Sequence, residues 1–243
     1  MTIKTYSEFL AEQVINEAVE NPVFVKDPTV KEVDTMIARG SVQKQTLVSK
    51  ITAMYDKYKS FFSSVKTNLE RMVKGDIIKF QKTKFMTDIK SLNSVIDKAV
   101  NRRRGFGGLG DLVRGAVLFD TKEDADAFVK KFVHKNKSKI TNYEEKVRGN
   151  DPVYGYYGSH HIDLNIDGLF VELQVMTRKM WNYKEVAHQI YDKYRSADGG
   201  PDKFDSNLSK RIFTVANESV DMPVQFTIGE LEEMYHDNWV EVK

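Results

Sequence analysis

The sequence contains no cysteine, which excludes disulfide bonds and thiol chemistry and fits a reducing compartment. It has little excess charge: 37 basic against 35 acidic residues leave +2. Bulk electrostatics therefore make no case for nucleic acid, and only local clusters could make one. No apolar run approaches the ~20 residues of a membrane span. The stretch Met1–Glu12 lacks the continuous apolar core of a signal peptide. No membrane partner is expected. There is no internal repeat and no low-complexity segment. What remains is the composition of an ordinary globular protein, with 41% hydrophobic and 30% charged residues. The length of 243 residues allows one or two domains with a packed core.

The most informative stretch is Tyr154 to Thr177, YGYYGSHHIDLNIDGLFVELQVMT. Ile162, Leu164 and Ile166 alternate with His161, Asp163 and Asn165, the period of a half-buried strand. Asp167-Gly168 follows, a pair that tolerates the positive φ of a two-residue hairpin turn. Pairing Ile166 with Leu169 puts Ile162, Leu164, Ile166, Leu169, Val171, Leu173 and Val175 on one face. On the other face Asp163 lies opposite Glu172, and His161 opposite Gln174. Facing carboxylates repel unless a cation or a proton sits between them. A solvated outer sheet face is the plain alternative.

Elsewhere the chain reads mostly as helix. MTIKTYSEFLAEQ is a short amphipathic helix with Thr5 and Glu8 in capping-box spacing. Asn21-Pro22 and Asp27-Pro28 suggest a linker. A long helix is expected from about Ser41 to Val73, with Leu47, Ile51, Met54, Tyr55, Tyr58, Phe61, Phe62, Val65 and Leu69 as its stripe and Gly75 as its stop. A second helix is expected from Thr87, TDIKSLNSVIDKAVNRRR, aligning Lys90, Ser94 and Lys98 at i, i+4 and i+8. It runs into Arg102, Arg103 and Arg104 and then GFGGLG. The match of Gly105, Gly107 and Gly110 to G-x-G-x-x-G follows a helix and opens a strand, so it is no dinucleotide fingerprint. No Gly-Lys-Ser/Thr follows, so it is no P-loop. A mobile glycine loop with three arginines still suits phosphates. Asp111–Asp120 is an expected strand, Thr121 caps a helix whose Ala125, Phe128, Val129 and Phe132 face the sheet, and 139–148 is another strand. A helix, EVAHQIYDKYR, follows the hairpin, and two more close the chain. The pattern implies an α+β fold, a small mixed or antiparallel sheet covered by helices with an N-terminal helical extension.

The order of these pieces resembles the synthetase domain of the RelA/SpoT family, over about Phe80 to Arg195. Lys90, Ser94 and Lys98 match its Lys-x3-Ser-x3-Lys face, and Asp111 its metal-binding Asp at the start of a strand. Gly155, Tyr156 and His160 match its Gly-Tyr-x-x-x-His, whose Tyr stacks on guanine. Glu172, Leu173, Gln174 and Thr177 match its Glu-Ile-Gln-x-x-Thr, which carries the second catalytic acid. Trp181, His188 and Tyr191 match the trailing Trp and His-x-x-Tyr. The resemblance implies a sheet of the nucleotidyltransferase type and transfer of pyrophosphate from ATP to the 3′-OH of a guanine nucleotide. It also implies Mg²⁺ on Asp111 and Glu172. Lys90, Ser94, Lys98, Arg102, Arg103, Arg104, Arg114, Tyr156, His160, Gln174, His188 and Lys193 are the implied substrate contacts. Asp88, Ala116 and Met176 stand where the family carries arginines, and Lys193 is displaced by one from the family's lysine. Five scattered histidines without a His-Asp pair argue against the family's hydrolase half.

The dodecamer MTIKTYSEFLAE resembles the head-targeting peptide of internal head proteins of T-even-type tailed phages. There a prohead protease cuts after Leu/Ile-x-Glu, here Leu10-Ala11-Glu12; Ile15-Asn16-Glu17, Ile228-Gly229-Glu230 and Leu231-Glu232-Glu233 match the tripeptide as well. The resemblance implies a phage protein acting in the host cytoplasm or packaged inside the head. Residues 1–28 are then targeting peptide and linker, 29–84 a helical extension, 85–195 the synthetase core and 196–243 C-terminal helices. Two alternatives stay open. One is transfer to tRNA or an adenine nucleotide, because an aromatic such as Tyr156 stacks on any base. The other is a catalytically degenerate head protein.

Overall fold

The computed structural model describes residues 21–40, 42–80, 82–149 and 156–185. Five strands, β1 (Lys84–Ile89), β2 (Val113–Phe119), β3 (Ile140–Lys146), β4 (Ser159–Ile166) and β5 (Leu169–Thr177), form one sheet in the order β1-β2-β5-β4-β3. All neighbours are antiparallel except β2 and β5, which run parallel. The helices are α1 (Pro22–Val25), α2 (Pro28–Arg39), α3 (Lys44–Ile77), α4 (Leu92–Ile96) and α5 (Lys122–Lys135). None of them is long and apolar enough to cross a membrane.

The hairpin has the register that its alternation requires: Ile166 pairs with Leu169, Asp163 with Glu172 and His161 with Gln174. Asp167 and Gly168 take φ of 55° and 88°, the two positive values of a tight turn. The apolar hairpin face is continuous with Val113 and Val117 of β2, and together they form the floor of the core. α3 and α5 cover that floor. Leu47, Ile51, Met54, Tyr55, Phe62, Val65 and Leu69 are buried along α3, while Tyr58 and Phe61 are partly buried. Thr121 caps α5 by accepting from Asp124 N, and Ala125, Phe128, Val129 and Phe132 are buried beneath it.

Four expectations are corrected. Thr87 does not begin a helix, because residues 84–89 pair with β2 as an edge strand and Ser91 caps α4 only afterwards. Phe85 and Ile89 pack toward the core, and Ser91 offers its hydroxyl to Ser94 N, so the strand-then-cap solution satisfies both apolar and polar groups. α3 passes straight through Gly75: the last turn is held by Asp76, which is buried and paired with Lys131 and Lys135 of α5 at 3.1 Å each. The two Asx-Pro pairs are not a spacer. Each proline opens a helix, and Asn21 is fully buried, donating to Gly107 O at 2.8 Å and Leu109 O at 3.0 Å and accepting from Phe170 N at 2.5 Å. Finally, the chain is helical again from residue 178, earlier than expected, because the Thr177 hydroxyl accepts from Met180 N at 3.1 Å. The helices expected at 1–13 and 196–243 lie outside the described residues.

Candidate active site

The polar side of the sheet forms one wall of a cleft of about 850 Å³. β1 contributes Met86 and Asp88, β2 contributes Arg114 and Ala116, and β5 contributes Glu172 and Gln174. These residues are neighbours by register: Asp88 pairs with Arg114, and Arg114 with Glu172. The opposite wall is α4 with the π-helical turn Asp97–Asn101 that continues it, bringing Ser94, Asp97, Lys98 and Arg102. Residues 181–185 close one end with Trp181, Lys184 and Glu185.

Asp111, just before β2, is the anchor of the cationic wall. The ammonium of Lys90 lies 2.8 Å from Asp111 Oδ2, and Lys98 meets the same oxygen. Lys90 reaches it from the end of the edge strand, not from a helix face, and is itself 4% exposed. Burial pushes the Asp111 carboxyl up, but the two ammonium groups outweigh it and hold it below its ordinary value. The same burial pulls Lys90 down, against the attraction of Asp111.

Glu172 sits on the opposite wall. Burial again disfavours its charge, and the balance goes the other way through His161 Nδ1 at 3.5 Å, the Gln174 amide and the charge of Lys184, which hold it at about 2. Its cross-strand neighbour Asp163 is pushed up by burial and by the charge of Glu172, despite a bond from Asn142. The facing carboxylates are thus separated by their surroundings, one firmly ionised and the other less so.

Of the residues implied by the resemblance, the cleft brings together Asp111, Glu172, Lys90, Ser94, Lys98, Arg102, Arg114 and Gln174. It does not include Arg103, Arg104, Tyr156 or His160. The Tyr156 hydroxyl faces Met176 Sδ at 3.7 Å and its ring meets His161 edge-on. His160 points to the other side of the sheet, between Tyr143 and Asp126. Gly155, His188, Tyr191 and Lys193 lie outside the described residues. The arginine-glycine loop is docked, not free: Phe106 N and Gly107 N donate to the Asp34 carboxylate of α2 at 2.6 and 2.9 Å. A Cβ on Gly105, where φ is +71°, would lie 2.7 Å from Asp34 Cγ. The anion this loop grips is therefore one of the chain's own side chains. Sequence reasoning missed Lys184 and Asp97; neither stands in a motif, and no spacing could have placed them in the cleft.

A mixed five-stranded sheet with helices on one face and an acid-and-lysine cleft on the other defines an α+β architecture whose open face carries the candidate site. The family model described as "Region found in RelA / SpoT proteins" matches residues 87–197, so this stretch of the chain is similar to that region. No curated protein is detectably similar in sequence. Among solved structures, the type VI effector Tas1 in complex with its immunity protein is similar with a TM-score of 0.52 at 16% identity, over 67% of this chain and 96% of that one. Small alarmone synthetase 1 from Bacillus subtilis, bound to its product pppGpp, is similar with a TM-score of 0.51 at 14% identity, over 77% and 97%. A GTP pyrophosphokinase family protein from Streptococcus pneumoniae gives 0.50 at 18%, over 76% and 93%. At these identities the likeness is one of fold, and the fold is that of the RelA/SpoT synthetases.

Proposed function

We propose that this cleft transfers pyrophosphate from ATP to the 3′-hydroxyl of a guanine nucleotide. The observation that carries the reading is the meeting of Asp111 and Glu172, from the mouth of β2 and the middle of parallel β5, with Lys90, Lys98, Arg102 and Arg114 in one cleft. In that reaction the acceptor oxygen bonds to the β-phosphorus of ATP, the bond from that phosphorus to the AMP oxygen breaks, and the hydroxyl proton leaves to a base or water. Lys90, Lys98, Arg102 and Arg114 bind and orient the polyphosphate, and Ser94 offers a hydroxyl from α4.

Two carboxylates opening into one cleft fit a hard divalent ion of the Mg²⁺ class, whose remaining positions are taken by substrate oxygens and water. Among the described residues no cluster of three or more acidic or imidazole groups is assembled. Asp111 and Glu172 would hold it. When bound, Mg²⁺ neutralises charge that develops on the transferring phosphates. Glu172, held at about 2, suits the ion better than it suits proton abstraction, since a general base works best with a pKa near the operating pH.

A second reading changes only the acceptor, to an adenine nucleotide or a tRNA end. It is favoured by Tyr156, whose hydroxyl and ring are engaged with Met176 and His161 and which does not line the cleft. Incubating the full chain with labelled ATP and, separately, GDP, GTP, AMP, ADP and tRNA decides between the acceptors. Product with GDP or GTP alone supports the first reading, product only with the others supports the second, and no product with any acceptor overturns both. In that last case the packaged, inactive head protein implied by the N-terminal dodecamer becomes the working reading. Its own signature is a virion-borne form beginning at Gln13.

A further inference from the structure

Five cations line the cleft: Lys90, Lys98, Arg102, Arg114 and Lys184. Four of them are answered by a carboxylate. Lys90 and Lys98 share Asp111, Arg102 meets Asp97 at 2.8 Å, and Arg114 meets Asp88 at 3.1 Å. Lys184 is different. Among the described residues it forms no ion pair; its ammonium donates to Gln174 Oε1 at 2.5 Å and lies 4.4 Å from the centre of the Trp181 ring. Both partners are neutral.

That difference has a chemical consequence. A polyanion arriving at Lys90, Lys98, Arg102 or Arg114 must compete with a carboxylate already in place. At Lys184 it need only replace an amide oxygen, and an ammonium group has three hydrogens to give. Burial pulls Lys184 below its ordinary value, against the more distant charges of Glu172 and Glu185. Glu172 takes its direct contact from His161 instead. Around Gln174 on this face, Ala116 on β2 and Met176 on β5 carry no charge, and Glu172 on β5 is an anion. Arg114 also acts on Lys184 but is paired with Asp88, so among the described residues Lys184 is the positive charge of that part of the cleft that no carboxylate answers. Trp181 beneath it keeps water from one side of the ammonium and strengthens whatever anion it meets.

We propose that Lys184 is a phosphate-binding residue of the cleft, exchanging the Gln174 amide for a phosphate oxygen of the bound nucleotide. The proposal rests on the nucleotide-transfer reading above and adds to it where a phosphate is held. The released Gln174 amide remains beside Glu172, whose charge it favours.

The test is calorimetric binding of ATP and GDP, with adenosine and guanosine as phosphate-free controls, to the full chain and to Lys184→Met, Lys184→Arg and Lys90→Met. Loss of one charged hydrogen bond predicts that Lys184→Met weakens at least one nucleotide by about ten- to a hundredfold. Nucleoside affinity should stay unchanged, and Lys184→Arg should recover part of the loss. Equal nucleotide affinity in the parent and Lys184→Met overturns the proposal. So does a parallel fall in nucleoside affinity or a large drop in melting temperature with Lys184→Arg no better, because that marks a packing role. If Lys90→Met loses nucleotide while Lys184→Met does not, this inference falls alone. If the parent binds neither nucleotide, the nucleotide-transfer reading falls with it.

Discussion

His160 and His161 are neighbours in the chain and face opposite sides of the same sheet. His160, buried under α5, has both ring nitrogens engaged, with the Tyr143 hydroxyl at 2.8 Å and with Asp126 at 2.8 Å. His161, on the opposite face, has its Nδ1 at 3.5 Å from Glu172 and, among the described residues, no partner for its buried Nε2. The contrast extends to the two faces as wholes. Under the helices every buried charge is matched inside the protein, as Asp76 is by Lys131 and Lys135. Along the cleft, acids and cations crowd together with donors to spare. Polar groups that are fully satisfied within the protein hold it together, whereas groups left underused are those an outside ligand can complete.

The largest test of this contrast is on the cleft side. Glu172→Gln should remove several kcal/mol of transition-state stabilisation, roughly a hundredfold to ten-thousandfold in rate, in a protein that still folds though with a lowered melting temperature. Asp111→Asn should lose comparable activity and also stability, because it leaves Lys90 and Lys98 facing each other without their shared anion. Turnover measured beside thermal melting checks both. Near-normal turnover of Glu172→Gln at saturating Mg²⁺ would remove this side chain from the reaction.

The next test exchanges the histidines. His160→Ala breaks two partly buried bonds, to the Tyr143 hydroxyl and to Asp126, which keeps Lys122, at a cost of roughly 1–3 kcal/mol, while nucleotide affinity in the folded protein stays as it was. His161→Gln should alter stability by less than about 1 kcal/mol and should instead change activity. Urea unfolding of the two variants beside a binding titration gives the comparison; equal destabilisation by both would erase the distinction drawn between the faces.

The smallest effect is a pH dependence from the helix side. Glu70 of α3 accepts from Lys66 and from Thr87 of β1, and these bonds hold its pKa at about 2, against an ordinary 4.5. A depressed carboxylate contributes stability above its unfolded pKa and loses it as pH falls through the folded one. The parent should therefore lose roughly 1–3 kcal/mol from this group between pH 4.5 and 2. Glu70→Gln should be less stable at neutral pH and show a flatter melting curve across that window. An unchanged acid profile would mean that the α3–β1 contact contributes little.

Much of the architecture was legible in the residues because it depends on local rules. Alternation on both sides of Asp167-Gly168 left one register that buries Ile162, Leu164, Ile166, Leu169, Val171, Leu173 and Val175 together, and Thr121 announced α5 by its hydroxyl. Edge strand β1 was not legible. Residues 84–89 show no clean alternation, and Lys90, Ser94 and Lys98 happen to fall at helical spacing across a strand end and a cap. Motif order makes Asp111, Glu172, Lys90 and Lys98 candidates, and the structure places them in one cleft, with Lys90 at a strand end and not on a helix face.

The sequence by itself determined the hairpin, its turn, the α5 cap and the set of acids and lysines available for chemistry, since each follows from neighbours a few positions apart. Only the tertiary structure decided how those groups were used. Asp34 and Asn21, remote in sequence, take up the backbone of the glycine loop. α5 covers His160, while His161 stands on the other face beside Glu172. Lys184 enters the cleft because Thr177 turns the chain into a helix directly after β5. Such assignments depend on which charges meet across the fold, and a charge's partner is set by distance in space, which local sequence patterns do not encode.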